Sequence, residues 1–316
     1  MRVVFIGTED IGEIALKGLA ESRHEIVLVV SQPDRPKGRG RKIEPGPVAV
    51  AANELSLPLS QPESIRDEVA RQKLMEASPD IIAVVSYGEY IPSDIFQAPK
   101  LGSINLHPSL LPRWRGASPV RYTLLAGDEE AGVTIQYLHK KMDAGDVLLQ
   151  EKITIEHDDD HGSLCNKLYP LGADLLVRAL DGLEDGTITP VPQDESKVTK
   201  APKIEKADLW LDWTKPADEV RNRIRAFSPT PGTRTLFREK DIKILAASKD
   251  ILKSLVKFNP GQVESLSDEG PAVMCADKAL VITSLQPSGK KPINGKDFIN
   301  GYRIETGEIF GKRSDA

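Results

Sequence analysis

Cysteine is nearly absent from this chain: Cys165 and Cys275 are the only two in 316 residues, and they stand 110 residues apart. That excludes a disulfide scaffold and is read as two reduced thiols in a cytoplasmic protein. Long apolar stretches are missing too. Runs such as Ile26 to Val30 and Ile81 to Val85 stop at five residues, far short of the ~20 that a membrane-spanning helix needs. The opening Met1-Arg2-Val3-Val4-Phe5-Ile6-Gly7 reads as a buried strand, with no cleavable signal pattern. No internal repeat is visible. There is no Gly-x-Ser-x-Gly elbow, no Cys-x-x-Cys pair and no phosphate-cradling Walker loop, so covalent catalysis, zinc chemistry and ATP hydrolysis have no signature. Gly7-Thr8-Glu9-Asp10-Ile11-Gly12 follows a strand and opens a helix, yet it lacks the middle glycine of a dinucleotide fingerprint. Glu9 would also repel a pyrophosphate at that helix mouth.

What is present is an ordinary globular balance, 40% hydrophobic and 28% charged, in a length that fits two domains. The net charge of -5 is uneven. Residues 206–316 carry +4 and residues 1–205 carry -9, a weak pointer to a polyanionic partner for the second half.

In the first half, short aliphatic strands alternate with helical patterns, the mark of βαβ units and a largely parallel sheet. Strands are expected at Val3–Ile6, Ile26–Val30, Ile81–Val85 and Ser103–His107, and helices at Ile11–Ala20, Val48–Leu55, Arg66–Ala77 and Ser118–Leu125. Val133–Leu138 and Val147–Ile155 read as a hairpin around Asp143-Ala144-Gly145-Asp146, and a long helix runs from Ser163 to Leu183. The expected division is 1–186 for a first domain, 187–206 for a proline-rich extended linker and 207–316 for a second domain. The last contains a helix at Pro216–Ala226 and then short strands between Gly, Pro and Asp turns, the pattern of a small β-barrel.

Four segments carry candidate chemistry. Between 33 and 47 lies a loop with five basic residues from Arg35 to Lys42, no acidic one in that stretch, and two glycines. It cannot bury a face and is either a solvated, mobile excursion or a phosphate contact. Asn105 and His107 stand two apart at the end of a strand, so both project from one face. There, where doubly wound sheets bind ligands, an amide and an imidazole can stabilise an oxyanion; equally, such residues satisfy loop carbonyls. Asp143 sits in a glycine-containing turn and is either a partner that favours a charged His107 or a turn residue bonding its own backbone. His157-Asp158-Asp159-Asp160-His161 with Cys165 imitates a metal cluster, but Asp159 or Asp160 as the cap of the following helix explains it.

Asn105-x-His107 ahead of Ser109-Leu110-Leu111-Pro112, with Asp143-x-Gly145-Asp146 downstream, resembles the core of the 10-formyltetrahydrofolate-dependent formyltransferases. Further motifs make the chain similar to the branch acting on methionyl-tRNA. These are Gln32-Pro33-Asp34-Arg35-Pro36 with Gly38-Arg39-Gly40, Arg113-Trp114-Arg115-Gly116, Ile224-Arg225-Ala226-Phe227-Ser228-Pro229 and Gln286-Pro287-Ser288-Gly289-Lys290-Lys291-Pro292. The likeness spans Arg2 to Tyr302. It implies a Rossmann-like domain followed by a small barrel of the oligonucleotide-binding kind. It also implies Asn105, His107 and Asp143 as the catalytic trio and Ser109, Leu110, Leu111 and Pro112 along the folate. Arg39, with Arg41 and Lys42 beside it, would reach the tRNA. The implied substrates are 10-formyltetrahydrofolate and initiator methionyl-tRNA, with no metal, in a cytoplasmic and monomeric enzyme. Glu9 departs from the Gly-Thr-Pro opening usual in the family. The rivals are a formyltransferase for an amino-sugar nucleotide and a non-catalytic RNA-binding module; glycinamide ribonucleotide transformylases need no second domain of this size.

Overall fold

The computed structural model describes residues 1–37, 42–252 and 258–311. The chain divides into two compact units, one of residues 1–116, 131–153 and 166–200, the other of 117–130, 154–165 and 201–316.

The first unit is built on a seven-stranded sheet. Its strands are β1 (Arg2–Gly7), β2 (Glu25–Val30), β5 (Leu59–Ser60), β6 (Ile81–Val85), β7 (Ser103–His107), β8 (Glu130–Tyr137) and β9 (Val147–Thr154), in the order β5-β2-β1-β6-β7-β8-β9. From β5 to β7 the pairings are parallel, and β8 turns antiparallel against β7. Residues 3–6 of β1 and 81–83 of β6 are fully buried, as expected of parallel strands covered on both faces. Helices α1 (Asp10–Ala20), α2 (Pro47–Glu54), α3 (Glu68–Glu76) and α4 (Ser93–Phe96) supply the connections. Leu16 and Leu19 on α1 and Leu74 on α3 are buried, each such side chain contributing about 1.5–3 kcal/mol.

The expectation of a structureless basic loop is corrected at its flanks. Strands β3 (Arg35–Lys37) and β4 (Lys42–Glu44) pair antiparallel as a two-stranded ribbon. Alternation over three residues is too short to signal a strand. Arg39 and Arg41 lie outside the described residues, and of Lys42 only the backbone is described.

The second unit contains α5 (Pro119–Ala126) and α7 (Ala217–Phe227), and its residues 161–165 open α6 (His161–Glu184). It also holds an antiparallel, curled sheet. The strands are β10 (Thr233–Phe237), β11 (Lys240–Leu252), β12 (Val263–Leu266), β13 (Pro271–Met274), β14 (Ala279–Pro287), β15 (Ile293–Asn294) and β16 (Phe310–Gly311), followed in chain order by α8 (Gly295–Tyr302) between the last two. The order is β12-β13-β14-β11-β10-β16, with β15 on β14. Three register shifts along β11 against β14 bend the strand, which is how a short sheet curls into a half-barrel. Phe237, Phe298 and Phe310 fill it, with centroids 4.8 Å apart for Phe237–Phe310 and 5.5 Å for Phe237–Phe298. Among the described residues no helix is long and apolar enough to cross a membrane.

Candidate functional site

The site grows from the end of β7. In its antiparallel pairing with β8, Asn105 stands opposite Gln136 and His107 opposite Thr134. Directly opposed residues share a face of the sheet, so four polar side chains form a square on one face. His107, Thr134 and Gln136 are buried, Asn105 half-buried. Buried polar groups must be paired, and the pairing lays out the site.

Thr134 fixes the loop that follows β7. Its hydroxyl donates to the Ser109 carbonyl at 2.6 Å and accepts from the Leu111 N–H at 3.2 Å and from Gln150 at 2.8 Å. Gln150 also donates to the Leu111 carbonyl. The Ser109 hydroxyl turns inward to the Arg113 carbonyl at 2.7 Å. Of the four residues expected along the folate, Ser109 and Leu111 are thus buried and committed to the loop, while Leu110 and Pro112 keep exposed surface.

His107 Nε2 donates to the Trp114 carbonyl at 3.0 Å, and Nδ1 lies 3.7 Å from Asp143 Oδ1. A carbonyl accepts only, so Nε2 carries a proton. The other nitrogen faces the Asp143 carboxylate. Trp114 presents its carbonyl from a left-handed backbone, φ 67°, and its N–H donates to Thr199 Oγ1 at 2.8 Å.

Asp143 also sits in the left-handed region, φ 51°. Its Oδ2 accepts from the Gly116 N–H at 2.8 Å and its Oδ1 from Gln136 Nε2 at 3.3 Å. Gln193 Nε2 donates to the Asp143 carbonyl at 2.9 Å, the Gly145 carbonyl at 2.7 Å and Gln136 Oε1 at 3.0 Å. Arg115 donates twice to Gln193 Oε1 and once to Glu195, and that guanidinium holds the Glu195 carboxyl below its usual range. Asn105 differs from all of these. Among the described residues its side chain has no hydrogen-bond partner.

Asn105, His107 and Asp143, 38 residues apart at the extremes, are therefore brought to one place. Sequence reasoning missed Thr134, Gln136, Arg115 and Gln193. The alternation Val133-Thr134-Ile135-Gln136 held a signal, two polar residues on one face of an apolar strand, but its meaning depends on the register with β7. Gln193 left none, since its partners are 48 to 78 residues away.

The acidic run at 157–161 is a helix start. Asp160 Oδ1 accepts from the Ser163 N–H at 2.9 Å, and Asp159 takes the Ser163 hydroxyl and the Glu156 N–H. Elsewhere His24, Asp181 and Glu184 lie close enough to share an ion, but the Arg23 guanidinium already pairs with both carboxylates.

A sequence profile described as Formyl transferase matches residues 1–180, and one described as Formyl transferase, C-terminal domain, matches 203–303. The methionyl-tRNA formyltransferase of Natranaerobius thermophilus is 39% identical over 312 residues, covering 97% of this chain and 99% of the relative. That of Bacillus subtilis is 38% identical over 315 residues, 99% of each. Among solved structures, HypX of Aquifex aeolicus in complex with tetrahydrofolic acid superposes with TM-score 0.64 at 18% identity, covering 99% of this chain and 51% of that one. The sugar 3N-formyltransferase WlaRD does so with TM-score 0.66 at 15% identity, covering 92% and 99%. The two structures share the fold; the sequence relatives, alike from end to end, place this chain in the methionyl-tRNA formyltransferase family.

Proposed function

We propose that this protein moves the formyl group of 10-formyltetrahydrofolate onto the α-amine of methionine carried by initiator tRNA, and that Asn105, His107 and Asp143 do the work. The carrying observation is the half-buried Asn105 amide, uncommitted among the described residues and next to an imidazole–carboxylate pair. A donor group in that position, without a partner of its own, fits an incoming oxygen. The folate supplies the formyl group; Leu110 and Pro112, with exposed apolar surface beside Asn105's strand, suit a flat ring.

The amine of an esterified amino acid is weakly basic, so at about pH 7 much of it is the uncharged nucleophile. As it attacks, negative charge grows on the formyl oxygen. Asn105 donates to that oxygen, and a protonated His107 stabilises the same charge. Asp143, beside His107, relays the amine's proton directly or through water to N10 of the folate, whose bond to the formyl carbon breaks as tetrahydrofolate leaves. Arg39, Arg41 and Lys42 contribute cationic contacts to the tRNA. The enzyme acts in the cytoplasm, in keeping with two cysteines that form no disulfide, and as a monomer, which light scattering checks against 34.6 kDa.

The deciding experiment incubates the protein with formyl donor and either charged initiator tRNA or an amino-sugar nucleotide. Formylation of the aminoacyl ester is expected; formylation of the sugar amine alone overturns the reading. Asn105→Ala should cut kcat about 100- to 1,000-fold, the usual cost of one oxyanion donor, with both KM values little changed.

A further inference from the structure

We infer that Gln136 is a positioning residue for Asp143, oriented by a one-way chain of hydrogen bonds that starts at Arg115. The inference rests on the role given to Asp143 above.

The direction of the chain follows from what each group can do. A guanidinium only donates, so the Gln193 atom 2.9 and 3.1 Å from Arg115 is the amide oxygen. The NH2 of Gln193 must then face Gln136, and the Gln136 atom 3.0 Å from it is the oxygen. That leaves the Gln136 NH2 no orientation except toward Asp143 Oδ1. Amide groups are often ambiguous by a half-turn; here the cation at the start removes the choice at both glutamines. The same Gln193 NH2 reaches the backbone carbonyls of Asp143 and Gly145, so the turn and its carboxylate are gripped together.

Burial adds a second argument. Gln136 is 2% exposed in the middle of a sheet, where an unbranched apolar side chain of equal length would fill the space without a polar group to satisfy. What the amide adds is a donor aimed at the carboxylate oxygen nearest the His107 ring. Gly116 holds the other oxygen, so between them the two N–H groups set the plane of the carboxylate. Chains of aligned hydrogen bonds reinforce each other, which carries the influence of Arg115 to Asp143 across two neutral amides.

The test compares Gln136→Met, which keeps length and loses the donor, with Gln193→Met, which frees Gln136 without altering β8. Each is made alone and in an Asp143→Asn background, and kcat, both KM values and Tm are measured. Gln136→Met should lower kcat about tenfold, the order set by one hydrogen bond to a charged group, with KM values within about threefold. Gln193→Met should lower kcat less. In the Asp143→Asn background neither should lower it further, because coupled residues fail to add. Unchanged kcat in both single variants, or the same loss with and without Asp143 alongside a fallen Tm, overturns the inference and leaves Gln136 a packing residue. Full turnover by Asp143→Asn alone would instead remove the catalytic reading of Asp143, and the positioning role with it.

Discussion

Trp114 and Asp143 hold the two strained positions of the site, each a non-glycine residue at positive φ. A left-handed backbone costs roughly 1–2 kcal/mol for a residue with a Cβ, and here both instances point a group at His107. Gly145, two residues past Asp143, is required for a different reason. A Cβ there would lie 1.8 Å from the Tyr137 carbonyl oxygen, and a backbone atom cannot swing away as a side chain can. Gly145→Ala must therefore push the turn off β8, taking Asp143 with it. Overpacking of this kind costs about 1–3 kcal/mol, so Tm should drop by several degrees and kcat more than tenfold. A variant as stable and active as the parent would show that the turn is not held where Asp143 needs it. At this scale the sequence was half legible. Asn105 and His107 could be paired because two residues on one strand share a face whatever the rest of the chain does. Asp143, Gln136 and Gln193 join them only through long-range register, which no local pattern encodes.

At the scale of elements, α6 makes the most pointed prediction. Its first residue, His161, is held at about 4 by burial, helped by the positive charge of Arg121. The unfolded chain, near 6.5, binds the proton more readily than the folded one. Stability is then full above about pH 6.5 and is lost as pH falls toward 4, by about 3 kcal/mol over the window. His161→Gln, which cannot titrate, should flatten the acid side of the stability curve relative to the parent; urea unfolding at pH 7, 6, 5 and 4 measures it. Parallel curves for the two proteins would refute the assignment. The elements themselves were largely readable: β1, β2, β6, β7 and the β8–β9 hairpin lie where aliphatic runs put them, as does α6, stopped by Gly186 at φ 66°. The longest one missed is the eight-residue helix α8; the others are short. The two-residue strands β5, β15 and β16 contain too few positions for any period to emerge, and their existence depends on the strand they dock against.

For the whole molecule, charge says more than shape. The chain is acidic overall, yet five cations are concentrated between Arg35 and Lys42, three of them in the β3–β4 ribbon that pairs the ends of that segment. An acidic protein that binds a polyanion has reason to gather its positive charge on one segment, since charge spread over the surface would be offset by neighbouring carboxylates within a Debye length of about 10 Å. Each phosphate neutralised releases counterions, so log K falls with log salt by about 0.7 to 0.9 per contact. Replacing Arg39, Arg41 and Lys42 together with glutamine should raise KM for methionyl-tRNA and flatten its salt dependence by about two to three. KM for the formyl donor and kcat at saturating tRNA should stay as they were, because the segment acts on encounter and hold, not on the bond being made. A steep salt dependence that survives the triple substitution would move tRNA recognition to the basic half of the chain beyond residue 206, where the excess of four positive charges lies.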